Sequence, residues 1–211
     1  MKIILYARNI VTLDGVGNSV IDFETKLKNF YSTSLVSIYS DKKDVINFQD
    51  YLGKHDSRNV LFYHFSIFDE NLSKILNLKF KYKIIYFHGI TPPEKLFDIR
   101  LKSECQKGLD QIKKLTNFDL YFFNSSESKF QFKKNLKIQE NDKFYIMPPV
   151  DVTNRYSDFD SRYLKPTNKK LNAYYLGSFG DHKKVDLLID KISRENTKIK
   201  SQVYSLSSNI E

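Results

Sequence analysis

Tryptophan is absent from these 211 residues, cysteine occurs once, and no apolar run is long. A helix that crosses a bilayer needs about 20 consecutive apolar residues. No stretch approaches that length. The lone Cys105 excludes an internal disulfide and a cysteine zinc site, and it suits a reducing compartment. Met1-Lys2-Ile3-Ile4-Leu5-Tyr6 enters a strand pattern at once, so no signal peptide and a cytoplasmic location are expected. Nucleic-acid motifs are also missing. The net charge of +9, from 34 basic and 25 acidic residues, is spread over scattered pairs such as Lys113-Lys114 and Lys133-Lys134 rather than gathered into a stripe with aromatics. That distribution argues against nucleic acid as a partner and favours an anionic membrane surface or a phosphorylated substrate. The nearest approach to an Asp-x-Asp metal motif is Asp158-Phe159-Asp160, which fits a solvated hinge, so no metal site is expected.

What is present is a core: 41% of residues are hydrophobic and 15% aromatic, which excludes global disorder. Strand-like runs at 2–6, 35–39, 60–65, 84–88, 119–123 and 143–147 alternate with helical stretches. The first helix carries Val16, Val20, Phe23, Leu27 and Phe30 on one face. Residues 45–52 form a short helix and 96–115 a long one, with Leu101, Cys105, Ile112 and Leu115 inward. Asp69 caps the helix after the third strand, and a serine of Asn124-Ser125-Ser126-Glu127 caps a later one. No Asn-Gly hairpin signal separates the strands, so the pattern implies parallel pairing with right-handed crossovers. The fold expected for residues 1–150 is α/β and Rossmann-like, with helices on both faces of a parallel sheet. A polar linker at 151–170 then leads into one further βαβ unit over 171–211, too short to bury a core of its own.

The chain is organised around residues 83–93, Lys-Ile-Ile-Tyr-Phe-His-Gly-Ile-Thr-Pro-Pro. Gly89, Pro92 and Pro93 stop the strand and leave His88 at its carboxyl end, the edge where open α/β sheets bind ligands. A satisfied loop histidine is the plainer alternative. His64 closes the preceding strand in the same way, where a structural strand-end role competes with cleft lining. The loop Asp14-Gly15-Val16-Gly17 opens the first helix, whose free N–H groups and dipole favour an anion while missing side chains admit a ligand to the backbone. It is a poor dinucleotide fingerprint, because position 20 is Val20 rather than a third glycine.

Six segments in order resemble a known family: Asp14-Gly15-Val16-Gly17, Tyr63-His64-Phe65-Ser66, Phe87-His88-Gly89-Ile90-Thr91-Pro92-Pro93, Asn124-Ser125-Ser126-Glu127, Met147-Pro148-Pro149-Val150-Asp151, and Tyr175-Leu176-Gly177 followed by Lys183 and Val185-Asp186-Leu187-Leu188-Ile189. Together they resemble the amino-terminal half of family 4 GT-B glycosyltransferases, which transfer a sugar from a nucleotide diphosphate with retention. The resemblance implies two facing Rossmann-like domains, acceptor contacts from the first and donor contacts from the second. It implies His88 as the catalytic histidine beside the transferred sugar, and Gly15, Gly17 and Lys183 against the donor diphosphate. Asp14, His64, Asn124 and Ser125 would line the cleft on the acceptor side. The nucleotide-diphosphate sugar would be a substrate, no cofactor is implied, and the acceptor would be a glycan or lipid-linked glycan at the inner membrane face.

Two departures accompany the match. Ser178 stands where the family usually places Arg, and the family's Glu-x7-Glu segment would lie beyond residue 211. A truncated or split transferase, inactive alone and completed by a missing half or partner chain, is therefore the expectation. The competing expectations are a non-catalytic acceptor-binding partner of a complete transferase and an unrelated nucleotide-binding α/β protein. Replacing His88 with Ala would separate the last from the first.

Overall fold

A computed structural model describes residues 1–12, 14–136 and 143–149, together with the backbone of two strands, Leu171–Gly177 and Ile199–Ser205. The chain divides into two units, Met1–Pro93 with Arg100–Val152 and Glu94–Ile99 with Thr153–Glu211. In chain order the first sheet comprises β1 (Ile3–Ile10), β2 (Thr33–Ser40), β3 (Ile46–Asn47), β4 (Val60–Phe65), β5 (Tyr82–Phe87), β6 (Leu120–Phe123) and β7 (Phe144–Ile146). The helices are α1 (Gly15–Leu27), α2 (Phe48–Leu52), α3 (Leu72–Asn77), α4 (Ile99–Gln111) and α5 (Ser126–Leu136).

The strands lie in the order β3-β2-β1-β4-β5-β6-β7 and every neighbouring pair is parallel. The fold is thus the expected Rossmann-like α/β arrangement. From β1 the chain builds outward through β2 and β3, then returns to place β4 on the other side of β1. That reversal, beside β1 and β4, is the place in an open α/β sheet where diverging crossovers leave room for a ligand at the carboxyl ends of the strands.

The sheet's two faces are filled differently. On one, Phe62 and His64 of β4 meet Phe23 of α1, with ring centroids 4.7 and 5.9 Å apart. Leu5, Ala7, Ile10, Val20, Leu35 and Tyr86 belong to the same buried cluster as Phe62. On the other, Tyr6 packs on Phe48 of α2, and Phe87 and Phe123 pack on Phe132 of α5. Alternation along β4 sends Tyr63 and Phe65 to this second side, which fixes His64 on the α1 side.

Several local expectations are corrected. Strand β1 runs to Ile10 rather than stopping near Tyr6, because it pairs with both β2 and β4. Helix α1 ends at Leu27, so Phe30 falls outside it and is 79% exposed. The segment expected as a helix at 45–52 splits into β3 and α2, with Asn47 accepting from the N–H of Gln49 as the cap. The long helix expected from residue 96 begins at Ile99, and Leu101 lies on its exposed side. Asn71, not Asp69, is the residue before α3; the buried Asp69 carboxylate accepts from the Asn71 N–H at 2.8 Å and from the Tyr63 hydroxyl at 2.8 Å.

The second unit contributes a parallel pair, β8 (Leu171–Gly177) and β9 (Ile199–Ser205), in register from Leu171 opposite Ile199 to Gly177 opposite Ser205. Both strands fall within the βαβ unit expected over 171–211. The linker expected at 151–170, the segment Val185-Asp186-Leu187-Leu188-Ile189, Ser178 and Lys183 lie outside the described residues.

Candidate functional site

His88 is the first residue beyond β5, and its N–H donates to the Phe65 carbonyl at 2.9 Å, extending the β4–β5 ladder by one bond. Gly89 then takes φ of 82°, a conformation that side chains with a Cβ rarely adopt, and the chain turns away from the sheet. Two side chains hold the turn. Asn124, just past β6, donates from Nδ2 to the His88 carbonyl at 2.8 Å. Gln131 of α5 accepts from the Ile90 N–H at 2.8 Å and donates to the Ile90 carbonyl at 2.6 Å. The histidine backbone is therefore fixed before any ligand arrives.

The half-buried His88 ring lies against Tyr86, with centroids 4.4 Å apart, and is nearly parallel to the His64 ring at 5.2 Å. His64 Nδ1 and His88 Nε2 are 2.9 Å apart, so one nitrogen donates and the other accepts. Tyr86 is anchored in turn, its hydroxyl donating to the Met147 carbonyl at 2.6 Å. Burial lowers His88 to about 4. Burial, and then the charge that His88 would carry, push His64 well below the usual imidazole range. Near neutral pH the two rings form an uncharged pair, suited to hydrogen bonding and not to holding a fixed cation.

The glycine loop has a different local logic. The Asp14 carboxylate accepts from the Gly17 N–H at 2.8 Å and caps α1. A Cβ on Gly17 would stand 2.9 Å from the Val11 carbonyl oxygen, so glycine is needed there for close backbone packing. Gly15 is exposed with nothing within 4 Å of a would-be Cβ, and it is the open end of the loop. An anion approaching Gly15 comes beside the Asp14 charge. Because β1, β4 and β5 are parallel, Gly15, His64 and His88 all belong to the carboxyl edge of one sheet.

Of the remaining expected site residues, Ser125 accepts from the Ser128 N–H at 3.2 Å as the cap of α5 and donates to Asn124 Oδ1 at 3.2 Å. Asn124 and Ser125 thus sit beside His88 as supports of its loop. Lys183 lies outside the described residues. Beyond the pairing of His64 with His88, three arrangements escaped the sequence. Gln131 clamps the loop after β5, and Gln111 of α4 clamps the loop after β4 in the same manner, bonding the Asp69 N–H and carbonyl at 2.8 and 2.7 Å. At the ends of β1 and β2, Arg8 bridges Glu70 at 2.8 Å and Glu104 at 3.3 Å while its guanidinium lies 5.6 Å from the Tyr39 ring centre. Burial pushes Glu70 up, yet its own backbone N–H and Arg8 outweigh that and hold it below the usual carboxylate range.

Among the described residues no cluster of three or more His, Cys, Asp or Glu side chains could hold a metal ion, and no helix is long and apolar enough to cross a membrane. No family model matches the chain, and no curated protein matches it.

Proposed function

We propose that the chain is the acceptor-side portion of a sugar-nucleotide-dependent glycosyltransferase, with the cleft at the carboxyl edge of β1, β4 and β5. The observation that carries this reading is His88: a neutral, half-buried imidazole at the end of a central parallel strand, with its backbone bonded by Phe65 and Asn124 and Ile90, two residues on, clamped by Gln131. A group so pre-positioned holds a substrate hydroxyl without reorganising. In the proposed reaction, His88 hydrogen-bonds a hydroxyl of the transferred sugar, and the open backbone at Gly15 admits the donor phosphates. Lys183 would balance the charge that builds on the departing nucleotide diphosphate. The net charge of +9 suits a cytoplasmic protein that works against an anionic membrane face.

The test is release of nucleotide diphosphate by the natural full-length protein, offered common nucleotide sugars with glycan or lipid-linked acceptors. Release that depends on His88 supports the reading, and no release from folded protein with any donor refutes it. The Asp14 cap, which places a carboxylate where the diphosphate would approach, favours a second reading. That reading is a non-catalytic acceptor-binding partner of a complete transferase. Glycan binding without release, in the presence and absence of nucleotide sugar, would select it.

A further inference from the structure

The 2.9 Å contact between His64 and His88 decides which nitrogen His88 offers to a ligand. Two neutral imidazoles facing each other through one nitrogen each can place only one proton between them. If His88 Nε2–H donates, His64 must carry its own proton on Nε2. If His64 Nδ1–H donates, His64 Nε2 is bare.

His64 Nε2 is one of four buried side-chain atoms without a hydrogen-bond partner among the described residues, the others being Tyr6 Oη, Asn9 Oδ1 and Ser19 Oγ. Neither Asn9 nor Ser19 bonds it, and the rings around His64 are Phe23, Phe62 and Tyr86. Tyr86 has already committed its hydroxyl proton to Met147. The first arrangement therefore buries an N–H donor with no acceptor, which native proteins rarely do. The second leaves only a lone pair beside aromatic rings.

We infer that His64 is a positioning residue: its Nδ1–H donates to His88 Nε2, so that His88 is held in the Nδ1–H form and meets a ligand as a hydrogen-bond donor. The ligand atom it takes is an acceptor, a hydroxyl, carbonyl or phosphoryl oxygen, and His88 is not the general base of the site. A neutral histidine left to itself favours the other form, so the arrangement is imposed by the fold.

The assignment concerns the folded chain and stands apart from whichever reaction the cleft hosts. Its test uses no substrate, so its failure and the failure of the transferase reading are separate results. Long-range proton–nitrogen spectra of the 15N-labelled full chain near pH 7.5 report each neutral tautomer, because a bare ring nitrogen resonates far from a protonated one. The four histidines are assigned by single substitution. In the wild type, His64 and His88 are both expected as Nδ1–H, and an Nε2–H pattern at either ring would overturn the assignment. In His64→Phe, His88 is expected to lose the Nδ1–H pattern and turn toward Nε2–H. An unchanged His88 pattern in that variant would show that His64 does not position it. The wild-type spectrum decides the tautomer even where the variant folds poorly.

Discussion

Replacing Gln131 with Ala removes both hydrogen bonds that hold Ile90, the 2.8 Å bond from its N–H and the 2.6 Å bond to its carbonyl. Ile90 is 3% exposed, so its backbone groups do not regain water freely when the amide is gone. An unsatisfied buried donor or acceptor costs about 1–3 kcal/mol. Gln131 itself is half-buried and its removal admits some water, which brings the combined loss to about 2–4 kcal/mol. The loss is read as a lowered urea midpoint at unchanged slope. Gln131→Glu keeps an acceptor for the Ile90 N–H but sets a carboxylate against the Ile90 carbonyl, so it is expected to be at least as damaging as Ala. A loss below about 0.5 kcal/mol in Gln131→Ala, the range of an ordinary surface change, would refute the claim that this clamp holds the His88 loop.

Three further outcomes follow from the same geometry. Gly17→Ala should destabilise by about 1–3 kcal/mol, since its Cβ meets the Val11 carbonyl at 2.9 Å, while Gly15→Ala, with open space around it, should lie within about 0.5 kcal/mol of wild type in the same titration. Gly89→Ala should lose about 1–2 kcal/mol, because φ of 82° is strained for any residue with a Cβ; an unchanged midpoint would contradict that backbone assignment. Because His64 and His88 are lowered in the fold, the unfolded chain binds more protons below the ordinary histidine value of about 6.5. Stability should therefore be level above that pH and fall as pH drops from about 6.5 toward 4, by up to about 1.4 kcal/mol per pH unit for each ring that stays neutral. His64→Phe should flatten the slope, and an equal slope in the variant would count against a buried neutral His64.

The parallel sheet was legible because alternation of strand and helix without hairpin turns leaves few other topologies. His88 was legible because a run of β-formers ends abruptly at Gly89. Its partner was not, since His64 Nδ1 reaches it only through the register that sets His64 beside Tyr86, although two histidines closing consecutive parallel strands were a signal that could have been used. The Gln111 and Gln131 clamps join residues 42 and 41 positions apart, and Arg8 reaches Glu70 and Glu104 across 62 and 96. No local pattern encodes such pairs. In the glycine loop the sequence did not reveal that Gly17 lets α1 approach Val11 or that the Asp14 carboxylate caps the helix end. Residues 45–52 were misjudged because two residues of β3 are fixed by pairing with β2 rather than by their own periodicity.

The most direct test of the central claim, that His88 is a ligand-facing group of a sugar-transferring cleft, is nucleotide diphosphate release by the natural full-length protein and by its His88→Ala variant at equal folded concentration. Release by the wild type that falls at least about tenfold in the variant, compared at that equal folded concentration, is the predicted result. Equal release by both proteins, or none from either with every common nucleotide sugar, would contradict it.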